Sequence, residues 1–282
     1  MLDSVERREP IVPLEELVPF CREQGMTSVN LDLIYGLPYQ NQKSFHQTIE
    51  KILQVGPDRL ATFAYAHVPW VKGQQEKMPL NELPDAEERV SIHIQTVELM
   101  QQAGYDWVGM DHFSLPTDSL SKALNSGTLR RNFQGYCTAE HTGQVYAFGA
   151  SSISQIDFGF YQNAKLSSEY SEQMESQGNA LYKVYQLNDQ EKYISSVIED
   201  LMCNGKVEWI DQATRFTITE QDRIDVSIGQ NLQLLEEEGL LNTRDGLSQL
   251  TEKGKWVPRY VAMHLDPLLQ REGEKKKFSQ TL

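Results

Sequence analysis

Several reactive side chains in this 282-residue sequence stand where a fold could put them to use. Asp32 sits inside the run Val29, Leu31, Leu33, Tyr35, which closes at Gly36-Leu37-Pro38. A carboxylate near the end of a strand can accept hydrogen bonds from hydroxyl or amino groups of a ligand. The alternative is a carboxylate satisfied at the strand terminus. Asp111 and His112 follow a second short apolar piece, where an acid beside a histidine suits a structural hydrogen-bonded pair as readily as a catalytic one, and no role is assigned to it. Arg130, Arg131 and Tyr136 bring together guanidinium and phenol groups that match carboxylates. The three cysteines, Cys21, Cys137 and Cys203, are each more than sixty residues apart. That spacing fits neither a disulfide framework nor a compact metal site, so reduced, mostly buried thiols are expected.

The elements that must position these groups alternate. Leu14 to Gln24 has Leu14, Leu17, Val18 and Cys21 on one helical face and stops at Gly25. Ser28 to Gly36 reads as a buried strand carrying Asp32 and Tyr35 toward its C-terminal end. Ser44 to Val55 returns to a helical pattern, Gly56-Pro57 breaks it, and Arg59 to Ala66 reads as a second strand. After a proline-containing loop, Asp85 to Ala103 is expected to be helical, with Val90, Ile94, Val97 and Met100 on its buried side. A third strand, Tyr105 to Met110, is expected to deliver Asp111, His112 and Phe113 into a loop ended by Pro116. This rhythm predicts parallel strands joined by crossover helices, with chemistry at the C-terminal strand ends. Asn132 to Ile156 is Gly-, Ser- and aromatic-rich, as strands and tight turns are. From about Asn163 long helical segments follow, Ser167–Ala180, Asp189–Cys203 and Glu220–Glu238, and a domain boundary is expected there. Leu232 to Gly254 then has the helix, strand, Asp245-Gly246 turn, strand pattern of a winged helix. A packing module is preferred to a nucleic-acid reader, because Glu236-Glu237-Glu238 puts acid where such a reader needs base. The tail from Arg271 to Lys277 is charged and expected to be solvated.

Bulk properties narrow the function classes. The hydrophobic fraction of 39% can fill a core, and the net charge of -14 repels phosphate backbones and anionic lipid. Nucleic acid and membranes are therefore poor partners. No apolar run approaches the roughly 20 residues that span a bilayer. The first residues contain no apolar export signal, and a cytoplasmic location is expected.

The run Asn30 to Gln40, NLDLIYGLPYQ, resembles radical S-adenosylmethionine enzymes of the oxygen-independent coproporphyrinogen oxidase family. The resemblance sharpens at Phe63 to Pro69 (FAYAHVP), Gly109 to Phe113 (GMDHF) and Arg131 to Tyr136 (RNFQGY), and extends through Gly149 to Ser154 and Gln177 to Ala180. It implies an α/β fold, the C-terminal part of a partial (β/α) barrel over residues 1–162, followed by a mainly helical, winged-helix-like domain over 163–282. It implies two propionates of coproporphyrinogen III oxidatively decarboxylated to vinyls, giving protoporphyrinogen IX in haem biosynthesis, with S-adenosylmethionine and a [4Fe-4S] cluster as cofactors. By the same resemblance Asp32, Phe63, Ala66, Arg7 and Ile153 contact S-adenosylmethionine, the Arg7 guanidinium suiting its carboxylate. From the residues alone Phe63 is core packing. Arg130, Arg131 and Tyr136 are expected, from their chemistry only, to meet substrate propionates.

The sequence departs from the family in having no closely spaced cysteine triplet, first barrel strands or Gly-rich cofactor loop. The chain is accordingly expected to hold no metal itself and to be inactive alone, as a fragment that an N-terminal half would complement, monomeric if complete. A haem-binding chaperone of the same superfamily and an interaction module built on the winged-helix end are the alternatives. The oxidase-type motifs argue against the first and the acidic charge against the second.

Overall fold

The computed structural model of the chain describes residues 11–70, 73–132, 135–139, 144–219, 226–267 and 269. Arg7, residues 220–225 and the charged tail 271–277 lie outside them. The chain divides into two compact units, at Lys122/Ala123. The boundary expected at 162/163 does not coincide with this division, because the strands between Leu129 and Asn163 group with the later helices.

In the first unit, α1 (Leu14–Glu23), β1 (Asn30–Tyr35), α2 (Gln42–Val55), β2 (Arg59–Ala64) and α3 (Ala86–Gln102) follow the expected order. Asn41 and Ser44 form a reciprocal capping box at the start of α2, and Gly56 closes the helix in the left-handed conformation. β1 and β2 pair in parallel. Two expectations are corrected here. His112 and Phe113 are not in a loop: β3 (Asp106–Gly109) turns at Met110 and Asp111 into β4 (His112–Ser114), which inserts antiparallel between β2 and β3 to give the order β1-β2-β4-β3. Gly109 (φ 151°) and Met110 (φ 48°) make this tight reversal. The buried stripe of α3 is also rotated from the expected one. It runs through Ile92, Thr96, Val97 and Met100, while Val90 and Ile94 stay 39% and 40% exposed. A hydrophobicity pattern passes over Thr96, yet its hydroxyl donates to the Ile92 carbonyl at 2.7 Å and so enters the core at no unpaired cost.

Strand register separates the two sheet faces. Leu31, Leu60, Phe113 and Trp107 lie in one cross-strand row and pack with Phe45, Ile49, Ile52, Ile92 and Met100 from the helices. The alternate positions point to the opposite face.

The second unit begins with the end of α4 (Ser119–Ser126) and a hairpin, β5 (Leu129–Asn132) with β6 (Gly135–Thr138). A meander follows: β7 (Ile153–Ile156), β8 (Gly159–Asn163) and β9 (Leu181–Gln186), with α5 (Ser167–Gln177) between the last two. The helix expected to reach Ala180 stops earlier, at Gly178 with φ 71°. Then α6 (Asp189–Asn204), β10 (Lys206–Glu208), α7 (Trp209–Arg215), α8 (Val226–Glu237), β11 (Leu241–Arg244), β12 (Leu247–Leu250) and α9 (Pro258–Leu265) form the expected winged-helix arrangement around a sheet of order β10-β12-β11. Its core joins Tyr193, Leu201, Trp209, Ile228, Leu235 and Leu250, among others. Among the described residues no helix is long and apolar enough to cross a membrane.

Candidate functional site

The face of the first sheet turned away from α2 and α3 carries polar and aromatic side chains in register. Asp32 pairs with Ala61 across β1 and β2, and Ala61 pairs with His112 across β2 and β4. Ile34 and Phe63 form the next row. Asp32 is exposed and accepts a hydrogen bond from Asn30 Nδ2 at 2.7 Å. Ile34 is 40% exposed. It lies on the same face as Asp32, one row on. Phe63 stands edge-on to His112, ring centroids 5.8 Å apart. The expectation from residues alone, that Phe63 is core packing, is overturned: it lies on the face opposite the helix-packed core. The expected buried strand around Asp32 is likewise corrected, because β1 is a sheet edge whose Asn30, Asp32 and Ile34 are exposed.

Two loops leave the C-terminal ends of the parallel strands, where α/β folds place their ligands. After β1, Gly36 turns with φ 83°, and a Cβ there would press on Arg89 Cδ at 3.3 Å. The buried Gln40 amide then ties the loop to its strand, Nε2 donating to the Ile34 carbonyl at 3.2 Å while Oε1 accepts from Leu37 N at 2.9 Å. After β2, Gln75 does the same for the segment containing Ala66: its Nε2 donates to Ala66 O at 3.1 Å and its Oε1 accepts from Val68 N at 2.6 Å. Tyr65 meets His67 Nδ1 at 3.1 Å and donates to Met78 Sδ at 2.9 Å, and burial pushes its phenol pKa up. Sequence reasoning did not single out Gln40 or Gln75. Gln40 at least closes the matched NLDLIYGLPYQ run, whereas nothing in the sequence marks Gln75.

The other predicted residues belong to the second unit, and Arg7 lies outside the described residues. Ile153 opens β7 beside a loop in which Ser152 Oγ and Asn163 Nδ2 both donate to the Gly149 carbonyl, at 2.7 and 3.0 Å. Arg130 pairs with Asp200 at 2.9 Å, Arg131 lies over the Tyr136 ring at 5.2 Å, and the Tyr136 hydroxyl donates to Met202 O at 3.2 Å. Arg131 and Tyr136 are thus brought together, while Arg130, one residue along the strand, is held by Asp200, and the Tyr136 hydroxyl is engaged within the unit. Arg130 also borders a cavity of about 620 Å³ with Lys192, Glu199 and Arg215.

Burial pushes the Glu199 carboxyl up, opposed by the Arg131 backbone N–H at 2.9 Å and the Arg130 charge. The folded chain therefore keeps this proton at pH values where the unfolded chain has lost it. Its contribution to stability is present below the ordinary carboxylate value of 4.5 and is lost as pH rises through the raised folded value. Glu199→Gln keeps the acceptor and removes the titration, so the variant's melting temperature relative to the native chain is expected to rise as pH increases from 4.5. Thermal melts across that range check this, and a constant offset between the two chains would count against it.

No group of three or more metal-ligating side chains occurs among the described residues. Burial raises the pKa of both the Cys137 and Cys203 thiols, which disfavours the thiolate a cluster needs. The cysteines present do not fit an iron-sulfur cluster.

Comparison with protein-family models gives no match. Comparison with curated proteins gives several. The chain is 35% identical to the oxygen-independent coproporphyrinogen III oxidase of Salmonella typhimurium over 268 residues, 94% of this chain and 58% of that protein. It is 34% identical to the Synechocystis protein of the same name, over 99% of this chain and 60% of the other. Among solved structures, the coproporphyrinogen III oxidase of Escherichia coli, described as a radical SAM enzyme, superposes with a TM-score of 0.89 at 33% identity, covering 95% of this chain and 61% of that one. The chain spans about three fifths of the length of the relatives it matches. Over that span its sequence is similar to the oxygen-independent coproporphyrinogen III oxidases, and its α/β fold superposes on the matching part of the solved one.

Proposed function

We propose that this chain serves the oxygen-independent oxidative decarboxylation of coproporphyrinogen III to protoporphyrinogen IX, an oxidoreductase step of haem biosynthesis, by binding S-adenosylmethionine on the face of its first sheet opposite α2 and α3. The single observation that carries this is the register row Asp32–Ala61–His112 with Phe63 beside it, on the face opposite the α2 and α3 core. An exposed carboxylate suits ribose hydroxyls or an amino group, and an aromatic ring beside small alanines suits the adenine. When bound, S-adenosylmethionine supplies the radical chemistry of hydrogen abstraction. This chain's residues orient it: Asp32 holds the polar end, Phe63 and Ala66 flank the base, and Gln40 and Gln75 fix the two loops. Ile153 and Arg7 are proposed as further contacts, and Arg130, Arg131 and Tyr136 as the region nearest the propionates.

The [4Fe-4S] cluster fits no group of this chain's described residues, so it is assigned to polypeptide outside them and no step is routed through it. We infer that a cluster-bearing N-terminal portion of the family's kind completes the site, one copy of each. No nucleic-acid or membrane role is proposed, and the cytoplasm is the proposed location.

Equilibrium dialysis of the full chain against labelled S-adenosylmethionine tests the reading. A charge-assisted hydrogen bond contributes about 1.5–3 kcal/mol, so Asp32→Ala is expected to weaken binding about 10- to 100-fold. Absence of binding by the native chain, or equal binding by the variant, would sink the proposal.

A further inference from the structure

We propose that the cavity of the second unit is a carboxylate site, in which Lys192 and Arg215 hold a propionate arm of the tetrapyrrole beside two phenylalanine rings; this rests on the function proposed above and names the groups that recognise the substrate's charge. The cavity measures about 620 Å³, inside the roughly 300–1,000 Å³ of small-molecule sites. Its lining belongs to the second unit: Lys192, Ser195 and Glu199 come from α6, Arg215 and Phe216 from the end of α7, and Phe160 from β8.

The charge of the lining runs against that of the chain. The whole sequence has 26 basic against 40 acidic residues, whereas the cavity sets three cations, Arg130, Lys192 and Arg215, against the two acids Asp157 and Glu199. A concave surface of that balance draws anions. Positions 192, 195 and 199 fall on successive turns of one face of α6, so an ammonium, a hydroxyl and a carboxyl line the wall in order. Burial pushes the Glu199 carboxyl up, the direction that lets it take a proton rather than repel an incoming carboxylate.

The cations differ in how they are held. Arg215 Cζ lies over the Phe216 ring at 5.4 Å, and Phe216 is set in turn by the buried Tyr193, ring centroids 6.4 Å apart. A cation–π contact consumes none of the guanidinium's N–H donors, and the fork of Arg215 takes no acceptor among the described residues, which leaves it for a carboxylate. Lys192 meets Asp189 at 3.0 Å, but that partner is 80% exposed, and a solvated pair on one helix loses little when the ammonium turns to a second carboxylate. Arg130, by contrast, is fixed at 2.9 Å by the largely buried Asp200 and stays part of the wall. Phe160 and Phe216 beside these cations suit an anion carried on a hydrocarbon arm, as a propionate is.

The test is fluorescence titration of the full chain with coproporphyrin III, which carries four carboxylates, and with its uncharged tetramethyl ester. Arg215→Gln and Lys192→Gln are each expected to lose about tenfold in affinity for the tetra-acid and nothing for the ester, with Arg215→Lys falling between native and Arg215→Gln. Lys255→Gln removes the same charge from a pair with Glu252 outside the cavity, and it is expected to bind as the native chain does. An equal loss for Lys255→Gln would make the effect one of overall charge and overturn the site. So would cavity variants that bind the tetra-acid like the native chain, or a native chain that takes up neither porphyrin. Dialysis of the same proteins against labelled S-adenosylmethionine separates this failure from that of the function: cofactor bound without porphyrin removes the cavity site alone, and absence of cofactor binding by the native chain removes the function on which the assignment rests.

Discussion

Replacing Trp209 by alanine is expected to destabilise the second unit by about 3–5 kcal/mol, the range for emptying a fully buried large aromatic. The indole is wholly buried and belongs to the core that draws residues from α6, α7, α8, β10, β11, β12 and α9. Its backbone N donates to Gly246 O at 2.9 Å, and Nε1 donates to the buried Ser248 Oγ at 2.8 Å. Trp209→Phe separates the two contributions. It keeps most of the apolar volume but withdraws a donor from Ser248, which retains Thr243 Oγ1 at 2.8 Å, so a smaller cost of about 1 kcal/mol is expected. Urea unfolding followed by helical circular dichroism, with hydrogen exchange of peptides covering α6 and β12, reports both. A loss below about 1 kcal/mol for the alanine variant would falsify the placement of Trp209 at the centre of this core.

Much of this architecture is legible in the sequence, for identifiable reasons. β1, α2 and β2 are bounded by Gly25, Gly36-Leu37-Pro38 and Gly56-Pro57, and these breakers act through local backbone geometry that does not depend on the rest of the fold. The winged-helix end announces itself by Leu232, Leu235 and the Asp245-Gly246 turn, where positive φ at both residues makes the hairpin. What the sequence hid depends on partners far along the chain. The direction of β4 follows from a turn at Met110, a residue type that does not advertise a left-handed conformation. β9 has all six residues exposed, so neither burial nor alternation marks it, and only pairing with β8 makes it a strand.

The site shows the same division. Asp32 and Phe63 were found through motif likeness, and their shared face emerges only from the β1–β2 register. Arg130 and Tyr136 were picked for chemical type, which does not reveal that Asp200 and the Met202 carbonyl hold them. Gln40 and Gln75 were missed because a loop clamp is defined by where a side chain's amide lands, and glutamine is otherwise an ordinary surface residue.

Asp118→Ala is expected to cost the first unit about 3 kcal/mol, because one nearly buried carboxylate joins three segments. Its oxygens accept from Arg59 Nε at 2.9 Å, from Ser28 Oγ at 3.0 Å and from Leu120 N at 2.8 Å, tying the approach to β1, the start of β2 and the first turn of α4. The Asp118 side chain is 4% exposed against 29% for Arg59, so the deletion leaves the guanidinium with partial access to water and the cost stays at the lower end for a broken buried pair. A second ion pair bridges nearby segments, Arg22 to Asp58 at 3.0 Å, but Arg22 is 40% exposed. Solvent screening reduces that pair to less than about 1 kcal/mol, and Arg22→Ala serves as the matched control. The difference bears on the site, since Arg59 pairs with Asn30 two residues before Asp32 meets Ala61. Loosening that end should raise hydrogen exchange along β1 and β2, where the carboxylate's position depends on the register. Denaturant unfolding of the two variants side by side, with exchange measured over residues 28–64, distinguishes the buried tie from the exposed one; equal losses would mean that burial does not set the ranking.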